Sequence, residues 1–376
     1  MFPRFLQSVL FACFCLCAVL QAYAAERAEV QFPDLPGYQT LKCDFHIHTV
    51  FSDGLVWPTV RVEEAWRNGL DVMAISDHIE YLPHKEDVTT NLNRSYEVAK
   101  PFADKLHMIL IKASEITRDE PHGHFNALFI TDANALNVDN EQDAIRIANE
   151  QGAFVFWNHP EWKRKGESTW GEIQQGYLEK GWMKGIEPFN AGEFYPTAFK
   201  WGIEKNLTIL GNTDIHRPID DLYDYHIGQH RTMTLVFATE KSEPAIKEAL
   251  LARRTVAFSD DKLLGEEQWV KPLFNLAVSV RDRDAVLKGK GEYMVGIHNA
   301  SACSYDLEAT SKGEGFTYPQ TLHLPAGKTV MMLLKGEGGV AAGTKQVSLP
   351  YRVQNVLTAP EKPLEVTLDL NVQFVE

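Results

Sequence analysis

Asp44-Phe45-His46-Ile47-His48-Thr49, followed by Ser52-Asp53-Gly54, decides the reading of this chain. Residues at i and i+2 of an extended segment face the same way, so His46 and His48 can present ring nitrogens to one metal ion. Leu41, Phe45 and Ile47 give the alternation a strand needs. A lone HxH arises often by chance, and its meaning depends on what recurs. Four more apolar runs end in potential ligands: Val72 to His78, Ile109 to Glu115, Phe154 to Pro160, and Thr208 to His216. Buried parallel strands read as continuous apolar runs, and in strand-helix barrels the chemistry sits at the strands' C-terminal ends. One such histidine would read as an ordinary core or surface residue; five strands ending in His, Asp and Glu point to one shared rim.

These motifs, HIHTVFSDG, the later SDH, Glu115, Asn158-His159-Pro160 and Asp214-Ile215-His216, resemble in order and spacing those of the PHP (polymerase and histidinol phosphatase) superfamily over residues 40 to 260. The resemblance implies an α/β fold, a distorted (β/α)7 TIM-like barrel, holding two or three divalent ions. It implies that His46, His48, Glu115 and Asp214 hold one ion, that Glu115 bridges to a second held with His159, and that Asp53, His78 and His216 hold a third. His124 opens an apolar stretch and is chosen over His122 as a further ligand of the second ion. Glu187 and Asn190 resemble a family position near the cleft that would orient ligands or substrate, with capping or a turn as the alternative for Asn190.

Composition bounds the remainder. The chain has 376 residues, 44% of them hydrophobic, enough for a barrel and a smaller domain. Arg4, the apolar stretch Val9 to Leu20 and Ala22-Tyr23-Ala24 read as a cleaved signal peptide over residues 1–24. A signal anchor is the alternative, but the run is shorter than the roughly 20 residues a spanning helix needs. The expectation is a periplasmic or secreted protein with no membrane attachment after cleavage. Cys13, Cys15 and Cys17 leave with that segment, and Cys43 and Cys303 remain without implying a disulfide framework. A formal net charge of −14 argues against nucleic acid as the main partner, because that affinity comes largely from Lys and Arg. Bound cations can still make a local site positive, so a small phosphorylated substrate fits. Nothing in the sequence fixes the oligomeric state.

Along the chain, Val62, Ala65, Trp66 and Leu70 recur at helical spacing with Gly69 as a terminator, and similar stretches fall near 140–150, 172–180, 197–205 and 243–252. Alternation of these with apolar runs is the signature of βαβ units. The barrel is expected over 38–265. From about Lys271 the texture changes to short, partly alternating segments: Phe274 to Val280, Tyr293 to His298, Tyr305 to Thr310, Thr329 to Leu334 and Leu364 to Phe374. These predict a small all-β sandwich, immunoglobulin-like, over 270–376. Eleven of the thirteen histidines lie between 46 and 230, which assigns the metal chemistry to the first domain.

Imidazole and carboxylate ligands without thiolate suit Zn, Mn or Fe. A bridging carboxylate holds two ions about 3.5–4 Å apart, where they can clamp the attacking and leaving oxygens at phosphorus. The expected reaction is hydrolysis of a small phosphate monoester or diester by a hydroxide held between ions. Arg217 and Arg231 are candidate phosphate-gripping residues, against the alternative of exposed arginines paired with nearby acids. His226 and His230 could protonate a leaving alkoxide or be surface histidines of a loop. Phe51, Trp57, Tyr81, Trp162, Trp170, Phe194, Tyr195 and Tyr225 crowd predicted loops and could stack a planar or sugar-like group, or be core. Two other readings stay open: an amide or lactone hydrolase, and a metal-retaining protein that binds a glycan or partner.

Overall fold

In the computed structural model, residues 27–163 and 168–375 are described, and the expected signal segment, 1–24, lies outside them. No helix among the described residues is long and apolar enough to cross a membrane.

The first part of the chain alternates strands and helices. In order these are β1 (Gln39–Asp44), α1 (Pro58–Arg67), β2 (Val72–Ile75), α2 (Arg94–Lys105), β3 (Ile109–Arg118), β4 (Gly123–Leu128), α3 (Glu141–Glu150), β5 (Phe154–Trp157), α4 (Glu172–Glu179), β6 (Gly185–Asn190), β7 (Glu193–Phe194), α5 (Pro196–Glu204), β8 (Thr208–Asn212), β9 (Met233–Ala238), α6 (Glu243–Leu251), β10 (Thr255–Ser259), β11 (Lys262–Leu264) and α7 (Glu267–Ala277). The amphipathic stretches read from sequence are all helices. Gly69 follows α1 with φ +84°, a left-handed position that glycine adopts without a Cβ penalty. Helices α2 and α7 are additional, and each contains a proline, Pro101 and Pro272, that breaks the sequence signal.

The mixed α/β architecture is as expected, while the distorted (β/α)7 barrel is qualified in two respects. First, β3 runs three residues beyond Glu115 and turns back, so β4 is antiparallel to both β3 and β5, while β1-β2-β3 and β5-β6-β8 are parallel. Second, the backbone ladder does not close. β9 lies antiparallel to β1 and β10 antiparallel to β9, and no ladder joins β8 to them. Side chains stitch this seam instead. Thr234 Oγ1 accepts from Gly211 N and donates to Gly211 O, both at 2.9 Å, and Thr255 Oγ1 donates to Ile209 O at 2.8 Å. A Cβ on Gly211 would meet Ala257 Cβ at 3.0 Å, so the glycine is what lets the strands approach.

The C-terminal part holds β12 (Val278–Arg281), β13 (Asp284–Lys288), β14 (Glu292–Asn299), β15 (Tyr305–Ala309), β16 (Phe316–Thr317), β17 (Thr321–Leu324), β18 (Thr329–Gly336), β19 (Gly343–Ala359) and β20 (Lys362–Val375). One sheet is β12-β14-β18-β16. The other is built on the long β19-β20 hairpin, joined by β15 and by β13, which runs parallel to β20. The strand expected over Phe274 to Val280 is corrected: α7 runs to Ala277 and β12 begins at Val278, because Val270, Leu273, Phe274 and Ala277 form one buried helical face. Each large residue of that face contributes on the order of 1.5–3 kcal/mol by burial.

The two parts share one core. Phe258, Leu263 and Phe274 belong to the same apolar cluster as Tyr305, Leu307, Val353 and Val356, and β11 pairs in parallel with β19 through Leu263–Val356 and Leu264–Leu357. Cys43 and Cys303 are both buried and free.

The threonine seam is testable. Thr234→Val leaves the N–H and C=O of Gly211 buried without partners and is expected to lower unfolding free energy by about 2 kcal/mol or more. Thr234→Ser keeps the hydroxyl and should lose much less; equilibrium denaturant unfolding measures both.

Candidate metal centre

The rim residues converge. β1 ends at Asp44, and the chain continues extended through Phe45 and Ile47, both buried, so the rings of His46 and His48 share one face. Ile47 bridges Ile215, and His48 N donates to Ile215 O, which sets the β1 exit beside the Asp214–His216 segment. The hairpin after β3 places Thr117 opposite His124 and Glu115 opposite Asn126. A ligand is thereby delivered by a strand running against the others.

Glu115 lies at the middle. Its Oε2 is 3.2 Å from His46 Nε2, 3.1 Å from His48 Nε2 and 3.3 Å from His78 Nδ1, while its Oε1 is 2.9 Å from His124 Nδ1 and 4.0 Å from His159 Nε2. Asp214 Oδ1 is 3.1 Å from both His46 Nε2 and His48 Nε2, and its Oδ2 is 3.6 Å from His159 Nε2. Asp53 Oδ1 is 3.2 Å from His216 Nε2 and 3.5 Å from His78 Nε2. The ligand atoms fall into sets within 4.8 Å: His48, Asp53, His78 and His216; His46, His48 and Asp214; His46, His159 and Glu187; and Glu115, His124 and His159. All nine metal candidates read from sequence are therefore at one place. His48 reaches the Asp53 set as well as the Asp214 set. His122 turns away and pairs with Glu141.

The donor set fits cations. Separations near 3.1–3.3 Å between donors are the edges of a coordination shell whose bonds are about 2.0–2.2 Å. His48 Nε2, Asp53 Oδ1, Glu115 Oε1 and Asp214 Oδ1 are buried with no hydrogen-bond partner among the described residues. Such atoms cost about 1–3 kcal/mol each unless something else satisfies them, and a shared ion does so. Asp214 and His159 adopt positive φ, +51° and +25°, backbone strain of the kind that gathers at functional positions.

Titration reflects the crowding. Burial opposes charge on His46, but Asp214, Glu187 and Glu115 outweigh it and hold its pKa well above 6.5. Burial likewise opposes charge on His48, yet the adjacent carboxylates of Asp214 and Glu115 push it up to about 9. His78 drops to about 4, chiefly through burial. Glu115 and Asp214 are held well below the usual carboxylate range because the surrounding imidazoles overcome their own burial.

A second layer fixes the ligands. Glu187 accepts from His46 Nδ1 at 3.2 Å, Asn212 Nδ2 at 2.8 Å, Asn190 Nδ2 at 3.0 Å and His159 N at 3.0 Å; holding a ligand histidine's far nitrogen orients its ring. Asn190 Nδ2 also donates to Asp214 Oδ2. Asp77 accepts from Thr49 N, Thr49 Oγ1 and Ser52 Oγ, which shapes the loop carrying Asp53. Arg61, fully buried, donates to the carbonyls of His48, Ile215 and Arg217 and cross-braces two ligand segments. Sequence reading gave no role to Asp44, Asp77 or Arg61. The first two stood inside the quoted motifs, whereas Arg61 sits on an amphipathic helix and carries no signal of burial.

The proposed phosphate and proton donors need correction. Arg231 is 2% exposed, with its guanidinium on Asp44 Oδ2 at 2.6 Å and on Thr213 and Asn68. It braces the ends of β1 and β8, because Asp44 also accepts from His46 N and Thr213 N. His230 packs on Phe258, ring centroids 6.1 Å apart, and faces Asp261. Arg217 is exposed, and none of these three lines the cleft. The His226 side chain lies outside what is described. The cleft itself, about 770 Å³, is lined by Asp53, Glu115, Glu193 and Asp214 among its charged groups and by no Lys or Arg among the described residues. Tyr81 and Trp162, each 55% exposed, stand at its walls, and Tyr195 lines it. Of the other aromatics, Phe51 is buried and Trp170 packs on Trp157 and Trp201.

A two-domain protein of Bacteroides vulgatus ATCC 8482, described as containing a predicted PHP-like metal-dependent phosphoesterase, matches at 42% identity and TM-score 0.86 over 92% of this chain and 99% of that one. A family model described as an Ig-like domain matches residues 278–369. A Bifidobacterium adolescentis ATCC 15703 protein, described by inference as a metal-dependent phosphoesterase, covers 46% of this chain and 87% of its own at 16% identity and TM-score 0.37. An amidohydrolase from Chromobacterium violaceum covers 48% and 89% at 14% identity and TM-score 0.37. Overlap that low carries no argument. No curated protein matches the chain.

Two tests follow from the geometry. In chelator-treated protein His48 adds stability below pH 6.5 that is lost as pH rises through about 9, and ions must expel that proton. Calorimetric titration with Mn or Zn at pH 7.5 in buffers of different ionisation enthalpy should show proton release that disappears above pH 9. Gly54→Ala would put a Cβ 2.7 Å from the backbone of His48 and Thr49, so bound metal should fall while circular dichroism stays native.

Proposed function

Because this chain belongs to the PHP-like metal-dependent phosphoesterases, we propose that it hydrolyses a small phosphate monoester or diester at two or three divalent ions, Zn, Mn or Fe. His46, His48, Asp53, His78, Glu115, His124, His159, Asp214 and His216 would hold them. The observation that carries this reading is Glu115, whose two oxygens serve different ligand sets, Oε2 facing His46, His48 and His78 and Oε1 facing His124. A carboxylate in that position would tie neighbouring cation sites together.

When bound, the ions supply Lewis acidity that offsets charge on the phosphoryl oxygens and makes water nucleophilic near neutrality. The side chains supply the rest. Glu187 and Asn190 keep His46 and Asp214 in register, Asp77 and Arg61 fix the loop and backbone that present Asp53, His48 and His216, and Arg231 through Asp44 anchors the strand ends. No Lys or Arg lines the cleft among the described residues, so bound cations and dipoles at its wall would supply the positive potential a phosphate needs there. We also propose export, on the character of residues 1–24; N-terminal sequencing of protein recovered from the native host checks it.

Glu115→Ala should lose both bound metal and phosphatase activity, read by elemental analysis beside turnover of p-nitrophenyl phosphate, bis-p-nitrophenyl phosphate and p-nitrophenyl esters with added Mn or Zn. Unchanged metal content would remove the bridging role. Turnover of the carboxylic esters alone would move the reaction from phosphorus to carbon.

A further inference from the structure

A second cavity, about 370 Å³, opens beside the ligand set Glu115, His124 and His159. It shares His124, His159 and Trp162 with the metal cleft, so the two are adjoining rooms with Trp162 at their junction. The Trp162 indole stands 5.9 Å from the His124 ring and 5.5 Å from the His159 ring, centroid to centroid. Among the described residues, the cationic side chains lining this cavity are already opposed. Arg118 is bound to Glu80 and to the carbonyls of Thr117 and Val138. His122 is held by Glu141, and Lys163 lies 3.6 Å from Asp119 and 5.4 Å over the Trp162 ring.

The wall of this room is tightly packed at its two glycines. A Cβ on Gly123 would meet Trp157 Nε1 at 2.7 Å, and one on Gly171 would meet Gln174 Oε1 at 2.8 Å, so both walls are fixed by close approach. Gln174 itself is occupied: its Nε2 donates to the carbonyls of Pro121 and His122 and fixes the hairpin wall. Apart from Glu120 and these paired groups, the described lining offers an occupant ring faces, prolines and neutral polar surface. A simple phosphate monoester with a small alcohol would leave such a space unused.

Resting on the phosphoesterase reading, we propose that this side cavity is the leaving-group subsite and takes an uncharged, ring-bearing alcohol stacked on Trp162. Hydrolysis then breaks the P–O bond to that alcohol, water giving its oxygen to phosphorus and a proton to the departing oxygen. Phosphate is left at the ligand cluster and the alcohol in the side room. A flat ring gains contact with the indole face, and an aromatic ring and a pyranose share that preference. A charged group would have to compete with existing ion pairs.

Binding of phenylphosphonate and 2-naphthylphosphonate to the metal-loaded protein, with kcat/KM for phenyl, 2-naphthyl and 4-carboxyphenyl phosphate and for glucose 1-phosphate, tests this. The naphthyl compounds should exceed the phenyl ones by about tenfold or more in affinity and in kcat/KM, chiefly through KM, and 4-carboxyphenyl phosphate should fall below phenyl phosphate. Trp162→Ala and Thr169→Trp should each bring the naphthyl-to-phenyl ratio near unity at unchanged metal content. Equal naphthyl and phenyl affinities, a ratio untouched by both variants, or a preference for the carboxylate would overturn the subsite. Tighter naphthylphosphonate binding without hydrolysis of any phosphate ester would instead leave the subsite standing and reject the phosphoesterase reading. Glucose 1-phosphate outperforming the aryl esters would identify the ring as a sugar.

Discussion

Two carboxylates, buried Glu115 and half-buried Asp214, lie at the meeting point of imidazoles from four strand ends and one hairpin, and the surrounding structure is arranged to keep them there. Burial on its own would drive such acids towards neutrality. The neighbouring histidines reverse that, and several donor atoms are left facing each other at separations suited to a shared cation. A site of this kind cannot be assembled by side-chain rotation alone, because its ligands come from several elements far apart in the chain. The backbone must first bring the strand exits within a few ångströms, which explains the investment of buried polar groups in bracing: Asp44 with Arg231 and Thr213, Asp77 with the Thr49–Ser52 loop, and Arg61 across three carbonyls.

Much of this was legible in the residues. Ligands ending apolar runs gave both the strand set and the shared rim, since a parallel strand buried on both faces has little room for polar groups until it exits. His124 over His122 followed from the apolar stretch that opens at 124, and the hairpin explains it: His124 sits inside β4 opposite Thr117, whereas His122 precedes the strand and pairs with Glu141. Less legible was anything defined by a partner distant in sequence. Arg231 read as a phosphate ligand because an arginine near a ligand loop looks available, and its burial against Asp44 depends on a neighbour nearly two hundred positions away. Closure of the barrel was overestimated for the same reason. Strand-helix alternation reports local order and says nothing about whether the first and last strands share hydrogen bonds.

The C-terminal β region shows a different limit. Short alternating segments identified most strands, yet β19, the longest, contains Pro350 and a polar stretch that conceal it. Its far end shifts register against β20 between Val353 and Leu357 and there also pairs with β11, continuing the first sheet. A common apolar cluster and a shared strand pair therefore make one mechanical unit of what reads as two compositional textures.

The acidic wall of the cleft has a bearing on the order of events there. With carboxylates on its lining and no fixed cation among the described residues, the empty room repels anions; loading it with divalent ions inverts the sign of the local potential. For an anionic guest, the charge on this wall would therefore depend on what the donor atoms hold, so arrival of cations and arrival of the guest are electrostatically coupled.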